Sequence, residues 1–333
     1  MRVAYSWDWA DMKVQMRILD QHEPPSLTGL PAALEQRHLA RIIELHLDWL
    51  EKRAGGLRAD LTGQTLNDIR LEGVNLAGAV LASTTWLEAD LTAANLSRTM
   101  LIRADLRGAV LSRVDLSGAD LEDARLDGVW MPGANLSEAS LQNTALREAN
   151  LHESRWQEAT VNGCELSGAR LEASAWHQSK VFNCQFGGAE LNKAQFYHAK
   201  LQMCHFFGAK AAEINLANAV AQDCNFGRAE LPGAKFRRAD LTRSVFHYAR
   251  LTDCDFREAR LGGVDFCGAV LTSSLFGGAN LQGADLRAAN LKGAREMTAE
   301  QLLMARTDQA TVLPNGSSGP FMKRSGAEKP ARS

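Results

Sequence analysis

Six cysteines are the residues of this chain whose type and spacing most directly suggest chemistry. Cys164, Cys184, Cys204 and Cys224 recur at every twentieth position, and Cys254 follows further along the chain. Thiols can ligate metal ions or form disulfides, but the sequence contains no CxxC pair of the kind that zinc sites use. We therefore expect free thiols in a reducing compartment, with no metal, no cofactor and no small-molecule substrate.

The other residue types that could do chemistry are scattered. Of the eight histidines, His38 and His46 lie eight residues apart on a predicted helix and could share a face, but further metal ligands cannot be placed beside them. The sequence contains no GxSxG, Walker or GxGxxG motif. These patterns are typical of a non-enzymatic protein.

The cysteines lie within a repeat of five residues that organises most of the chain. From Leu61 to Leu291 an apolar residue recurs at every fifth position through 47 units, and 30 of these central residues are Leu and nine are Phe. The residue two positions before a centre is mostly small, usually Ala, and the five cysteines named above occupy this position. A period of five fits neither a helix nor a strand, so it indicates a solenoid whose units bury their apolar residues by stacking.

This pattern, seen in "RADLRGAVLSRVDLSGADL" (103–121), resembles the bacterial pentapeptide-repeat family, whose consensus is A(D/N)LXX. The resemblance implies an all-β solenoid, a right-handed quadrilateral β-helix of about 12 coils with four pentapeptides in each coil. It also implies that the central Leu or Phe and the small residue point inward.

The distribution of bulky residues tests that geometry independently. If four pentapeptides make one coil, every twentieth residue lies above its counterpart in the coil before. Large side chains then form two columns on opposite walls, which contain Trp156, Trp176, Phe196, Leu216, Phe236, Phe256 and Phe276, and Leu166, Phe186, Phe206, Phe226, Phe246 and Phe266. A chain without four-sided coils has no reason for this alternation, so we predict stacked columns of aromatic rings and a ladder of buried cysteines.

The two ends of the chain lie outside the repeat at 57–295. Residues 1–56 form an N-terminal segment with an amphipathic helix over about 31–54, which either caps the first coil or docks a partner. Residues 296–313 contain a capping box that predicts a short helix closing the last coil. Residues 314–333 are rich in Gly, Ser, Lys and Arg, which favours a disordered tail.

No run of eighteen apolar residues and no secretory leader is present, so a cytoplasmic protein without a membrane span is expected. Secretion by a route without a cleaved leader is compatible with the same sequence.

Three groups of outward-facing residues are candidate partner-binding sites. Tyr197, Phe182 and Phe207 are aromatic side chains at outward positions on three successive faces, so with several histidines they form a cluster that wraps a corner. Trp130 lies one coil after Val110, at a position usually held by Asp or Asn. Arg237 and Arg257 share a column in a segment, 228–260, with eight basic and five acidic residues. Isolated exposed apolar residues and ordinary solvated charges would give the same patterns.

These features favour a rigid protein-interaction scaffold, working as a monomer or an end-to-end homodimer. One alternative is an accessory, effector or adaptor protein of a type VI-like secretion system. Another is a DNA mimic that binds gyrase or topoisomerase, as the family resemblance suggests. DNA mimicry needs a sustained negative surface, and a formal net charge of −2 is too small for it. Direct binding of nucleic acid is not expected, because a basic stripe is missing.

Overall fold

The computed structural model describes residues 36–331, and the chain divides into two compact units, Met1–Ala159 and Thr160–Ser333. The first unit contains helix α1 (Gln36–Leu50) and strand β1 (Ser140–Gln142). The second unit contains β2 (Thr160–Asn162), β3 (Lys180–Phe182), β4 (Lys200–Gln202), β5 (Val220–Gln222) and helix α2 (Ala299–Met304). Much of the remaining chain in both units forms single parallel bridges. Neither described helix has the length and apolarity that a membrane crossing requires.

Pairing in both units advances by four pentapeptides at each step. In the second unit Thr160 pairs with Lys180, and Lys180 pairs with Lys200, both in parallel. In the first unit the same step joins Asp60 to Val80. Four pentapeptides therefore make one coil, and the prediction of a parallel β-solenoid is confirmed.

Successive pentapeptides are joined by tight turns that begin at the central residue. The amide of Gln64 donates to the carbonyl of Leu61 at 3.0 Å, and Gly63 between them has a φ of 70°. A positive φ at this third position is the signature of a type II turn. Non-glycine residues adopt the same conformation, for example Ala93 with a φ of 56°. β-Branched residues tolerate it poorly, and none occupies this position between 63 and 293.

The interior of the second unit is built from stacked phenylalanines. Phe226 lies between Phe206 and Phe246, with ring centroids 4.7 and 4.8 Å away and nearly parallel planes. On the opposite wall Phe236 stacks on Phe256 at 4.9 Å, and an edge-to-face contact of 6.5 Å joins Phe226 to Phe236. All of these rings are fully buried. Within this unit the prediction of aromatic columns is confirmed.

The small inward position is often a hydroxyl residue, and its hydrogen bonds explain where tryptophans are tolerated. The Ser174 hydroxyl donates to the carbonyl of Leu171 at 2.6 Å and accepts from the indole N–H of Trp176 at 2.8 Å. The Thr84 hydroxyl likewise donates to the Leu81 carbonyl and accepts from the indole N–H of Trp86. A Ser or Thr two residues earlier thus satisfies the one polar atom of a buried indole.

The cysteine ladder lies in the same inward position. The thiol of Cys184 donates to the carbonyl of Phe182 at 3.1 Å, and the thiol of Cys204 donates to that of Val181 at 3.4 Å. The four ladder residues, Cys164, Cys184, Cys204 and Cys224, are buried thiols outside any disulfide, and so is Cys254 in another column. The Cys164 thiol lowers the pKa of Cys184. The Cys204 thiol and burial raise that pKa by more, so the net result is a pKa of about 12. A thiol with so high a pKa stays protonated and unreactive near neutral pH.

Helix α1 contacts the first inward position of the solenoid. Leu39 and Ile43 are buried on one face of the helix, as its amphipathic pattern predicts. The helix ends at Leu50, before the expected limit of 54, and Lys52 has the positive φ typical of a helix end. The expected start at 31 lies outside the described residues.

His46 on α1 is buried, and its Nδ1 accepts a hydrogen bond of 3.1 Å from the Ala59 amide. Its ring also stacks on Trp49, with centroids 5.3 Å apart. Burial is the main cause that lowers the pKa of His46 below its usual 6.5. Protonation would remove the acceptor for Ala59 and place a charge in a poorly hydrated position.

We therefore expect this contact to weaken in acid. Because the folded-state pKa lies below the unfolded one, the stabilisation is complete above pH 6.5 and is lost as the pH falls toward the folded-state value. Hydrogen exchange of the Ala59 amide, corrected for its intrinsic rate, should lose protection progressively as the pH is lowered below 6.5. In His46→Asn, whose amide oxygen can replace Nδ1 without titrating, the protection should stay flat. An equal loss in both proteins would contradict the role of His46.

The C-terminal helix begins with the predicted capping box. The Thr298 hydroxyl accepts from the Gln301 amide, and the Gln301 side chain accepts from the Thr298 amide. The side-chain amide of Gln301 also donates to the carbonyls of Phe276 and Ala279 at 2.7 and 2.8 Å. The Phe276 carbonyl also accepts from the Ala279 amide at 3.0 Å, so Gln301 gives it a second donor and joins α2 to this coil.

The expectation of a disordered tail from 314 differs from the structure, which describes this segment through 331. Phe321 is 9% exposed, Ala327 is buried, and the Phe321 amide donates to the Thr307 hydroxyl at 2.9 Å. Composition alone misled here, because one Phe among Gly and Ser supplies an apolar anchor. The last two residues lie outside the described chain.

Candidate partner-binding surfaces

Tyr197 lies on an outward face of the second unit and is 40% exposed. Its ring contacts His177 edge-on, with centroids 6.4 Å apart, and His198 at 4.1 Å. These three residues form a small surface cluster around one corner of the coil.

Phe207 is not part of that cluster. It follows Tyr197 by two pentapeptides, which is half of a coil, so the two rings lie on opposite faces. Phe182 lies on the face between them and is half-buried. The three residues therefore lie on three successive faces of the coils, as the twenty-residue period predicts.

Trp130 in the first unit is 50% exposed and pairs with Val110 through a parallel bridge. The predicted stacking of these two outward residues is present, and the pair forms a small apolar patch.

Arg237 and Arg257 are held by ion pairs. Arg237 and Arg238 both contact the carboxylate of Glu258, at 2.9 and 2.7 Å, and Arg257 contacts Asp255 at 2.8 Å. Hydrogen bonds from Arg238 and Arg237 lower the pKa of Glu258. The positive charge that the sequence places in 228–260 is thus largely compensated on the surface.

A shallow groove in the second unit combines features that the sequence analysis did not connect. Its volume is about 290 Å³, and Phe207, Arg228, His247 and Tyr248 lie around it. The two aromatic rings are among the most exposed of the described chain, Phe207 at 51% and Tyr248 at 55%. Exposed aromatic residues beside a concavity are typical of protein interfaces.

Two glycines, which lack a Cβ atom, leave the space in which the Phe207 and Tyr248 rings lie against the solenoid. A Cβ atom at Gly227 would lie 3.3 Å from the Phe207 ring, and one at Gly268 would collide with the Tyr248 ring. Each glycine lies one coil after its aromatic partner, so each ring covers the next coil. This packing fixes the rings although they face solvent.

Arg228 lies over the Phe207 ring, with its guanidinium carbon 5.9 Å from the centroid. Within the described residues it has no ion pair with a carboxylate, unlike Arg237 and Arg257. The groove therefore presents an uncompensated positive charge between two aromatic rings.

One signal in the sequence could have revealed this groove. Phe207, Gly227, His247 and Cys267 follow one another at every twentieth position, in the outward place after the centre. An outward column that alternates a large residue with Gly indicates a ring lying over the neighbouring coil.

The five-residue repeat of this chain matches a known protein family. The family profile described as Pentapeptide repeats matches eight copies, in residues 89–128, 131–172, 204–238, 212–247, 249–287 and 265–295. These matches cover about half of the chain. A comparison with curated proteins found no match.

Solved structures of the same kind are similar to this chain. HetL, a pentapeptide repeat protein involved in heterocyst differentiation regulation in Nostoc sp. strain PCC 7120, is 27% identical over 81% of this chain and 97% of its own, with a TM-score of 0.28. QnrB1, a plasmid-mediated fluoroquinolone resistance protein, is 18% identical over 62% of this chain and 94% of its own, with a TM-score of 0.34. The register of four pentapeptides per coil, the buried Leu and Phe columns and the profile match together show that this chain belongs to the pentapeptide-repeat family.

Proposed function

We propose that this protein is a non-enzymatic scaffold that binds another protein through the groove of Phe207, Arg228, His247 and Tyr248. The supporting observation is the pair of exposed aromatic rings that glycines hold in place beside an unpaired guanidinium. Residues of these types dominate the binding energy of protein interfaces, because they combine large apolar area with directional polar groups.

The chemistry of the groove defines the partner segment. The two rings favour an apolar or aromatic side chain, and Arg228 favours a carboxylate next to it. Asn225 and His247 supply further polar groups at its wall. We therefore expect a partner segment with an apolar residue adjacent to Asp or Glu.

The rigidity of the coils supports this function. The groove residues are carried on parallel bridges such as Asn225 with Val245, over a core of stacked rings. Little conformational freedom is lost when such a surface binds, so more of the contact energy contributes to affinity.

The test is quantitative binding to a partner. A protein that co-purifies with the full chain from its native host should be purified and titrated against wild type, Phe207→Ser/Tyr248→Ser and Arg228→Gln. We expect the double variant to bind at least about 30-fold more weakly, since interface anchors contribute about 2 kcal/mol or more. Arg228→Gln should bind more weakly and show less dependence on salt.

Tyr197→Ser is the matched control, because it removes an exposed aromatic residue of the opposite face. It should bind like wild type. Weaker binding by Tyr197→Ser with an unchanged Phe207→Ser/Tyr248→Ser variant would move the interface to the Tyr197 cluster. Failure of the host extract to yield any saturable partner would contradict the scaffold function itself.

The surface charges favour this scaffold over a DNA mimic. Duplex DNA presents closely spaced uncompensated phosphates. Here Asp105 is paired with Arg107 and Arg125, and Asp285 is paired with Arg287. Carboxylates that are neutralised by neighbouring arginines are poor imitations of a phosphate backbone.

A further inference from the structure

Three metal-ligating side chains meet on the surface of the second unit. His247, Asp265 and Cys267 each offer one ligand atom, and the three atoms lie within 4.8 Å of one another. The Nδ1 atom of His247 is 3.5 Å from Oδ2 of Asp265. All three side chains are partly exposed, so an ion from solution could reach them.

The coil geometry holds these groups together. Cys267 lies one coil after His247 in the same outward column, and the Tyr248 amide donates to the Cys267 carbonyl at 3.0 Å. The Cys267 amide in turn donates to Oδ1 of Asp265 at 2.8 Å, which leaves Oδ2 directed toward His247. The carboxylate is thus oriented by the backbone before any ion binds.

The separation of the ligand atoms suits a small divalent cation. Ligand atoms around a tetrahedral zinc ion lie about 3.3–3.8 Å apart, given metal–ligand bonds of about 2.0–2.3 Å. The distance of 3.5 Å between Nδ1 of His247 and Oδ2 of Asp265 already falls in this range, and all three ligand atoms lie within 4.8 Å of one another.

The charges around the site also favour a cation. The carboxylates of Asp265 and Asp285 make the field at Cys267 negative, although Arg287, which is paired with Asp285, partly opposes them. A bound cation would offset this negative field and take the thiolate as a ligand. Cys267 is also the one partly exposed cysteine among those described, because the other five are buried.

We propose that His247, Asp265 and Cys267 form a binding site for Zn²⁺ or a similar soft divalent cation. A sulfur, an imidazole nitrogen and a carboxylate oxygen are the donors that Zn²⁺ accepts, and three protein ligands leave one position open. Water or a side chain of a bound partner can fill that position, since His247 also lines the groove. The site stands on its own geometry and does not depend on the proposed partner binding.

The sequence predicts no metal because the ligands of its familiar metal-binding motifs are close together in the chain. His247 and Cys267 are a full coil apart in the sequence, and only the coil register brings them together. A CxxC pattern therefore cannot detect ligands that lie on neighbouring coils and are twenty residues apart in the sequence.

The test uses the full chain, stripped with a chelator under a non-chelating reductant, and titrated calorimetrically with Zn²⁺. We expect one ion per chain, with binding weakened at least about tenfold in each of Cys267→Ser, His247→Gln and Asp265→Asn. Titration with Co²⁺ should give a thiolate-to-cobalt charge-transfer band in the near ultraviolet, which Cys267→Ser abolishes.

His152→Gln is the matched control, because His152 lies beside a carboxylate, that of Glu153, at 3.3 Å. It should bind Zn²⁺ like wild type. Thermal unfolding of each metal-free variant checks that it folds, and Zn²⁺ should raise the melting temperature of wild type but not of Cys267→Ser. Absence of saturable binding, or wild-type affinity in both Cys267→Ser and His247→Gln, would overturn the site.

Discussion

Replacing Phe226 by Ala is expected to lower the free energy of unfolding of the second unit by about 3–5 kcal/mol. Phe226 is buried between Phe206 and Phe246 and also meets Phe236 edge-on. Truncation removes all three ring contacts and leaves a cavity that the regular bridges of the adjoining coils cannot close. Urea unfolding followed by circular dichroism measures the loss.

Phe207→Ala is the matched control, because it removes the same side chain from the outward position and Phe207 is 51% exposed. We expect it to cost less than about 1 kcal/mol. The second unit is a series of stacked coils, so Phe226→Ala can also split its unfolding into two transitions. Similar losses in the two variants would show that the aromatic column does not dominate the stability of this unit.

The fold was predictable because the same physical constraint applies to every pentapeptide of the repeat. A central Leu or Phe at every fifth residue, with a small residue two positions earlier, has few ways to bury itself. Large residues recur at every fourth pentapeptide, which indicates that each coil contains four pentapeptides and therefore has four sides. The buried column of Phe206, Phe226 and Phe246 confirms that inference.

The hydrogen bonding inside the coils was less visible in the sequence. The cysteines and serines at the small position look interchangeable with Ala by size alone. The structure shows that the Ser174 hydroxyl donates to the Leu171 carbonyl and accepts from the Trp176 indole, which Ala could not do. These hydrogen bonds depend on backbone geometry, which residue volume does not reveal.

The surface was predictable only in part. Outward positions carry no constraint from the core, so the exposed aromatic residues and their faces could be predicted, but the groove that joins Phe207 to Tyr248 was missed. Phe207 and Tyr197 are close in the chain yet lie on opposite faces, whereas Phe207 and Tyr248 are about two coils apart in the sequence and lie around one groove. Grouping surface residues in a solenoid requires the coil register rather than distance along the chain.

The second large effect is expected when a charge enters the cysteine ladder. Cys204 is fully buried. The Cys184 thiol lowers the pKa of Cys204, but the Cys224 thiol and burial together raise it by more, so the thiol of Cys204 is neutral in the wild type. In Cys204→Asp the new carboxyl group should likewise have its folded-state pKa raised. If that value lies about three pH units above that of an exposed Asp, the variant loses about 4 kcal/mol of folding free energy at neutral pH.

The pH dependence of that loss separates charge from shape. Because the folded-state pKa of the new acid is the higher one, its neutral form is tolerated below about pH 3.9, and the penalty grows as the pH rises toward the folded-state value. Cys204→Ser is the control, since hydroxyls already serve this position, as the bond from Ser244 to the Ala221 carbonyl at 2.7 Å shows. Urea unfolding should give a difference between the two variants that shrinks as the pH falls from 7 to 4. A constant difference would mean that size rather than charge limits this position, and the small residues of the repeat would then be explained by packing alone.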